Sequence, residues 1–276
     1  MNIVNRSGAP KTQDNPIAEL FAVPTFEKPR DLRQTWLKDV GFDEAPNYVE
    51  RMGLVELADF LEVAAPRLDF VKIVTTQILY HPAAWLKRKI ETYQRFEIEP
   101  YLDHTFFMHA YQRGVVDQAI VAGRALGFRV IEFMNTGDDV TSQQWKAWRK
   151  LAIANDMRII FEHHPPSNWD RSLPELPSSA EQILQEATPF LEDGAFTVML
   201  DHQEFDLQGE RTADVIGQVV DALGLERLVF EATSPKEGPL IWRDNLKRYF
   251  SLFGADCNVS NIMPSQAMFV EAMRVD

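Results

Sequence analysis

The stretch 129-RVIEFMNTGDDVTSQQWKAWRKLAIANDMRIIFEH-163 holds one complete strand–helix–strand repeat. Its two ends, RVIEF at 129–133 and RIIFEH at 158–163, are short β-rich runs in which apolar residues lead into a carboxylate, Glu132 and Glu162. Between them Trp145, Trp148, Leu151 and Ala152 recur at helical spacing and predict a helix packed on a sheet. Two such strands joined by a covering helix are the unit of a parallel sheet.

The same rhythm continues in both directions. Further strands are expected at 34–39 (QTWLKD), 69–75 (DFVKIVT), 97–102 (EIEPYL), 196–201 (FTVMLD), 227–232 (RLVFEA) and 257–262 (CNVSNI). Pro100 restricts the third of the eight to a strand end or a bulge. Trp85, Leu86, Lys89, Ile90 and Tyr93 form one helical stripe, and Ala213, Ile216, Val220 and Leu223 form another that stops at Gly224. Ser178 and Ser179, followed by Glu181 and Gln182, mark a helix start with Ile183, Leu184 and Ala187 as its buried face. Eight strands with intervening helices predict an α/β fold, a single (β/α)8 TIM-type barrel over residues 31–276. An open doubly wound sheet is the competitor, but Gly41-Phe42-Asp43-Glu44 supplies no glycine-rich phosphate loop. Residues 1–30, with Pro10, Pro16, Pro24 and Pro29, read as an irregular N-terminal arm.

Composition bounds the class. The chain has 276 residues, 28 Lys and Arg against 41 Asp and Glu, and a formal net charge of −13. With 45% hydrophobic and 25% charged residues it is neither a disordered tail, a collagen-like fibre nor a membrane protein. The acidic balance argues against nucleic acid and anionic membranes as partners and is compatible with a small anionic substrate held by local cations. Cys257 is the only cysteine, so no internal disulfide is expected, and the opening MNIVNRSGAPKTQDNP lacks the apolar run of a signal peptide. A soluble, cytoplasmic protein is the expectation.

The chemistry is expected where strands end. Four consecutive strands finish on Glu132, Glu162, Asp201 and Glu231, each after several apolar residues. A barrel gathers the C-terminal ends of its strands around one mouth, so the four acids should converge there. Converging carboxylates repel, which calls for raised pKa values or a divalent cation, and oxygen ligands suit Mg²⁺ or Mn²⁺. His104, His163, His164 and His202 also fall at or past strand ends, where they suit proton transfer, anion binding or a softer metal. Alternation puts Glu162 and His164 on one face and turns His163 away. Lys72, inside the apolar run FVKIV, projects into the mouth if it does not snorkel, and can there stabilise an enolate. Lys236, in SPKEGP after the seventh strand, lies where barrels often bind phosphate.

On these residues the chain resembles the phosphosulfolactate synthase family of the coenzyme M pathway. The family strand DFVKFG resembles Asp69–Val74, and its pattern P-x-x-x-L-K-x-K-I is matched by Pro82, Leu86, Lys87, Lys89 and Ile90. The family's VEIS, LSEVG, IIEAR and IFEAP resemble the segments carrying Glu132, Glu162, Asp201 and Glu231. Its VNLGNI resembles Cys257–Ile262, and its VIDKG matches at Asp39 and Gly41. The resemblance spans roughly residues 35–262. It implies a (β/α)8 barrel, Mg²⁺ dependence, a homo-oligomer and a lyase reaction in which sulfite adds to phosphoenolpyruvate and an enolate-like intermediate is protonated. Taken with the reading of the strand ends, it gives Glu132, Glu162, Asp201 and Glu231 as candidate metal ligands, Lys72 and the strand-end His104, His164 and His202 as candidate catalytic groups, and Asp39, Lys236, Asn258, Ser260 and Asn261 as candidate substrate contacts. The departures cluster at the mouth. Gln203 stands for the family's Arg, Val40 for its Lys, Ser260 for a glycine, and Asp103-His104-Thr105 for Gly-Gly-Thr. Cationic and backbone anion-binding elements are lost and histidines are added, so the expected substrate is an enol or keto acid without the same phosphate grip. The alternatives are an isomerase or hydrolase acting on a small carboxylate, or a non-catalytic stress-associated homologue.

Overall fold

The structure, a computed structural model, describes residues 20, 27–42, 52–134, 140–165, 178–202, 211–233 and 241–274. Eight parallel strands close into a barrel in sequence order, β1 (Thr35–Asp39), β2 (Phe70–Ile73), β3 (Glu99–Leu102), β4 (Val130–Met134), β5 (Arg158–His163), β6 (Ala195–Leu200), β7 (Leu228–Glu231) and β8 (Asn258–Ile262), with β8 paired back to β1. This is the (β/α)8 barrel expected from the rhythm of acid-ended strands. Pro100 lies inside β3, opposite Val71, but β4 pairs only with Tyr101 and Leu102, so the proline stays outside the doubly paired part of the strand.

Ten helices are described, from α1 (Leu54–Ala64), α2 (Thr75–Tyr80) and α3 (Ala83–Arg95) to α4 (His104–Gln112), α5 (Val116–Leu126), α6 (Ser142–Ala154), α7 (Ala180–Glu192), α8 (Arg211–Leu223), α9 (Ile241–Phe253) and α10 (Pro264–Met273). Their starts follow local chemistry. Ser179 caps α7 and Gln182 closes its capping box; Thr141 and Gln144 do the same for α6. Gly127, at φ +117°, ends α5 in the left-handed conformation that frees the chain to enter β4. Trp145 and Trp148 pack with Phe107 on the barrel wall, as the aromatic stripe predicts.

The barrel interior has two tiers. The lower is an apolar plug of Trp36, Phe70, Tyr101, Val130, Ile160, Met199 and Val229, with Phe196 against it. Strand side chains alternate, so the residue two places further on faces the interior again. Those residues are Lys38 after Trp36, Lys72 after Phe70, Asp103 after Tyr101, Glu132 after Val130, Glu162 after Ile160, Asp201 after Met199 and Glu231 after Val229. The polar tier therefore sits directly on the plug, at the C-terminal mouth. Below the plug, Arg30 is buried and pairs with Asp69 at 2.5 Å, which ties the end of the N-terminal segment to the opposite face of the barrel. Among the described residues, no helix is long and apolar enough to cross a membrane.

Candidate active site

A continuous run of contacts crosses the polar tier. Lys72 Nζ lies 2.9 Å from Glu231 Oε1 and 3.6 Å from Glu132 Oε2. The backbone N–H of His104, at the start of α4, donates to Glu132 Oε2 at 2.7 Å. His104 Nδ1 is 3.3 Å from that same oxygen and in close contact with Glu162 Oε2. His164 bridges onward, with Nε2 3.1 Å from Glu162 Oε1 and Nδ1 3.3 Å from Asp201 Oδ2. His202 Nδ1 completes the run 3.3 Å from Asp201 Oδ1. The side chains of Glu132 and Glu162 are fully buried, whereas His104 is 25% exposed and opens the cluster to solvent.

Electrostatics follow from burial and crowding. Burial alone would lower the pKa of Lys72, but Glu132 and Glu231 outweigh it and hold it well above the usual lysine value. Burial pushes the Glu231 carboxyl up to about 7, against the pull of Lys72 and aided by repulsion from Glu162, Asp201 and Glu132. Burial would also raise Glu162, yet His104, His164 and Lys72 bring it well below the ordinary range. Four buried carboxylates face Lys72 and, by the same alternation, Lys38 in register beside it, so negative charge remains to be balanced by protons on the histidines or by a cation. A cation fits the donors present. Glu132 Oε1 is buried with no hydrogen-bond partner among the described residues, and the buried oxygens of Glu162 meet only imidazole nitrogens there. Two groups, His104 with Glu162 and His164, and Asp201 with His202 and Glu231, each bring their donor atoms within 4.8 Å of one another.

Several sequence expectations need correction. Asp39 is not at the mouth: Leu37 belongs to the outer core and Trp36 to the plug, so alternation turns Asp39 outward. Its carboxylate is taken by Lys89 at 2.7 Å, by the Tyr93 hydroxyl at 2.7 Å and by the Gly41 N–H. Asn258 opens β8 at the opposite end of the barrel, where its amide receives the Gln34 N–H and donates to the Asp31 and Leu228 carbonyls. Neither residue is placed to touch a substrate at the mouth. Ser260 pairs in register with Glu231, and its hydroxyl is buried against Met199 Sδ at 3.7 Å. Asn261, at φ +60°, keeps its side-chain oxygen buried with no hydrogen-bond partner among the described residues. His163 turns outward to Ser178 at 3.0 Å and Glu186 at 3.2 Å, as alternation predicts. Lys236 and Gln203 lie outside the described residues.

Tyr101 was missed by sequence reading. It is fully buried in the barrel, its hydroxyl has no hydrogen-bond partner among the described residues, and Lys72 Nζ lies 5.9 Å from its ring centroid. The available signal was its position two residues before Asp103, on the same strand face.

Residues 24–276 match the model of the family described as (2R)-phospho-3-sulfolactate synthase (ComA). The chain is 24% identical over 265 residues to the phosphosulfolactate synthase of Methanothermobacter thermautotrophicus, covering 93% of each chain. It is 24% identical over 227 residues to the protein of that name from Methanocaldococcus jannaschii, covering 78% of this chain and 84% of the other. Among solved structures, the carboxyl transferase domain of Rhizobium etli pyruvate carboxylase is similar with a TM-score of 0.56 at 10% identity, over 84% of this chain and 40% of that one. That last likeness concerns the barrel fold alone.

Proposed function

The chain belongs to the (2R)-phospho-3-sulfolactate synthase family, and from that premise we propose that it is a divalent-metal-dependent lyase that adds a sulfur nucleophile such as sulfite to phosphoenolpyruvate or a related enol or keto acid. The observation that carries this reading is the convergence of Glu132, Glu162, Asp201 and Glu231 on one buried mouth around Lys72.

In such an addition the sulfur lone pair forms the carbon–sulfur bond at the terminal enol carbon, and the π electrons move towards the substrate carboxylate. The neighbouring carbon then takes a proton, giving a saturated product. A bound divalent cation, Mg²⁺ or Mn²⁺ in the family manner, would be held by oxygens of the acid cluster and would stabilise charge on the substrate carboxylate. Lys72 is held protonated by its two acids, so its role is to keep a fixed positive charge beside the developing enolate. His202, half-buried beside Asp201, is the group we assign to proton exchange with solvent. The plug beneath the cluster keeps water out from below.

One observation favours a second reading, in which the same addition or a related isomerisation serves a carboxylate without a phosphate. Val40, which stands for the family's Lys, is buried with Val74 and Met263 in an apolar group at the ends of β1, β2 and β8, so this position offers a phosphate no cation. Incubation of the purified protein with phosphoenolpyruvate, sulfite and Mg²⁺ or Mn²⁺, followed by mass spectrometry, tests the first reading. A sulfonated product that disappears on Glu162→Gln substitution supports it. If no product forms with either metal, the phosphoenolpyruvate assignment fails.

A further inference from the structure

We propose that His104, His164 and Glu162 form a nitrogen-rich centre that selects a first-row transition ion over Mg²⁺. This inference rests on reading the mouth as a metal centre and specifies which ion it takes.

The argument begins with Glu162. Its carboxylate is fully buried and flanked by an imidazole nitrogen on each oxygen, His104 Nδ1 at Oε2 and His164 Nε2 at Oε1. One donor atom from each of the three side chains lies within 4.8 Å of the other two. Two imidazoles and a buried carboxylate that gather this closely are placed as ligands of a common ion are placed. The 3.1 Å between His164 Nε2 and Glu162 Oε1 also matches the edge between neighbouring ligands on bonds of about 2.0–2.2 Å.

The surroundings agree. The two rings face each other at 5.3 Å and 74°, so both nitrogens reach the same carboxylate without stacking. The second nitrogen of His164 lies 3.3 Å from Asp201 Oδ2. A metal-bound histidine characteristically gives its other N–H to a carboxylate, which fixes the tautomer and the ring. The other inward acids have neighbours of their own, since Glu231 is paired with Lys72 and one oxygen of Glu132 accepts the His104 N–H. Glu162 has an imidazole on each oxygen, and Asp201 backs this pair from the far side of His164.

Donor type then decides the ion. Mg²⁺ takes oxygen ligands in near-ideal octahedral geometry and keeps several waters. Two imidazoles with one carboxylate suit Fe²⁺, Co²⁺, Mn²⁺ or Zn²⁺, with positions left open for substrate. His104 and His164 stand where the family pattern quoted above has glycine, so the nitrogen donors are this chain's own additions to an acid-lined mouth.

The test uses the full-length protein, stripped with chelator and titrated separately with Co²⁺, Mn²⁺ and Mg²⁺. Co²⁺ should give a ligand-field absorption that excess Mg²⁺ does not abolish, and pulsed EPR of the Mn²⁺-loaded protein should show ¹⁴N coupling. His104→Gly and His164→Gly should each weaken Co²⁺ binding beyond about 100-fold, and Asp201→Asn by about 10–100-fold through loss of the orienting carboxylate. Circular dichroism checks that the variants fold. If a glycine variant does not fold, the EPR result on the unmodified protein decides. Mn²⁺ bound without nitrogen coupling and readily displaced by Mg²⁺ would overturn the inference while leaving a metal centre in place. If none of the three ions binds, this inference and the metal-dependent reading fall together.

Discussion

Lys72 and Glu231, 159 residues apart in sequence, meet inside the barrel at 2.9 Å with side chains 4% and 3% exposed. Each depends on the other, because a lone charge at that depth has no water to solvate it. Lys72→Met should therefore cost about 3–5 kcal/mol in metal-free protein, as Glu231 and Glu132 lose their counter-charge. Adding Glu231→Gln should restore part of that loss, giving a coupling of about 0.5–3 kcal/mol in urea denaturation. Strictly additive effects would mean that the pair does not act as a unit. Turnover should fall in every variant that lacks Lys72.

Removal of metal should be visible in stability. A divalent ion at about 100 times its Kd adds about 2.7 kcal/mol and should raise the melting temperature by roughly 5–10 °C. Chelator should reverse the shift, and Glu162→Gln should abolish it. A melting temperature indifferent to Mg²⁺, Mn²⁺ and chelator would count against any ion in the mouth.

Asp39 and Lys89 offer a contrast, because their pair at 2.7 Å is buried on the helix side of β1. Lys89 also donates to the Met52 carbonyl and to Gln77 Oε1. Lys89→Met should destabilise the fold by about 3–5 kcal/mol yet leave KM and metal affinity of the folded fraction unchanged. A changed KM would return Asp39 to the substrate site.

Cys257 should be inert. It is fully buried, and burial pushes its thiol up to about 12, so little thiolate exists at neutral pH. A thiol reagent at pH 8 should react with native protein only at the rate of unfolding, and completely in denaturant. Rapid native labelling would show that the base of β8 opens.

The barrel was legible because parallel strands buried on both faces make unbroken apolar runs, and an acid at the end of such a run stands out. The convergence of Glu132, Glu162, Asp201 and Glu231 was legible for that reason, and that of His104, His164 and His202 from their position at or just past strand ends. The face of Asp39 was not, since WLKD carries charge at both 38 and 39 and a one-residue shift reverses every side chain. Asn258 was misplaced along the strand axis, because CNVSNI does not reveal which end of it meets the mouth. The pairing of Lys72 with Glu231 depends on barrel closure and leaves no local trace.

The aromatic plug has a kinetic consequence. Trp36, Phe70 and Tyr101 seal the barrel immediately below the charged tier, so among the described residues the proposed reaction site is closed from below. Under the proposed addition, both reactants would enter from the mouth side, and whichever settles deeper would have to arrive first. Kinetics at varied concentrations of both reactants should then follow a compulsory order, with the outer reactant trapping the inner one when in excess.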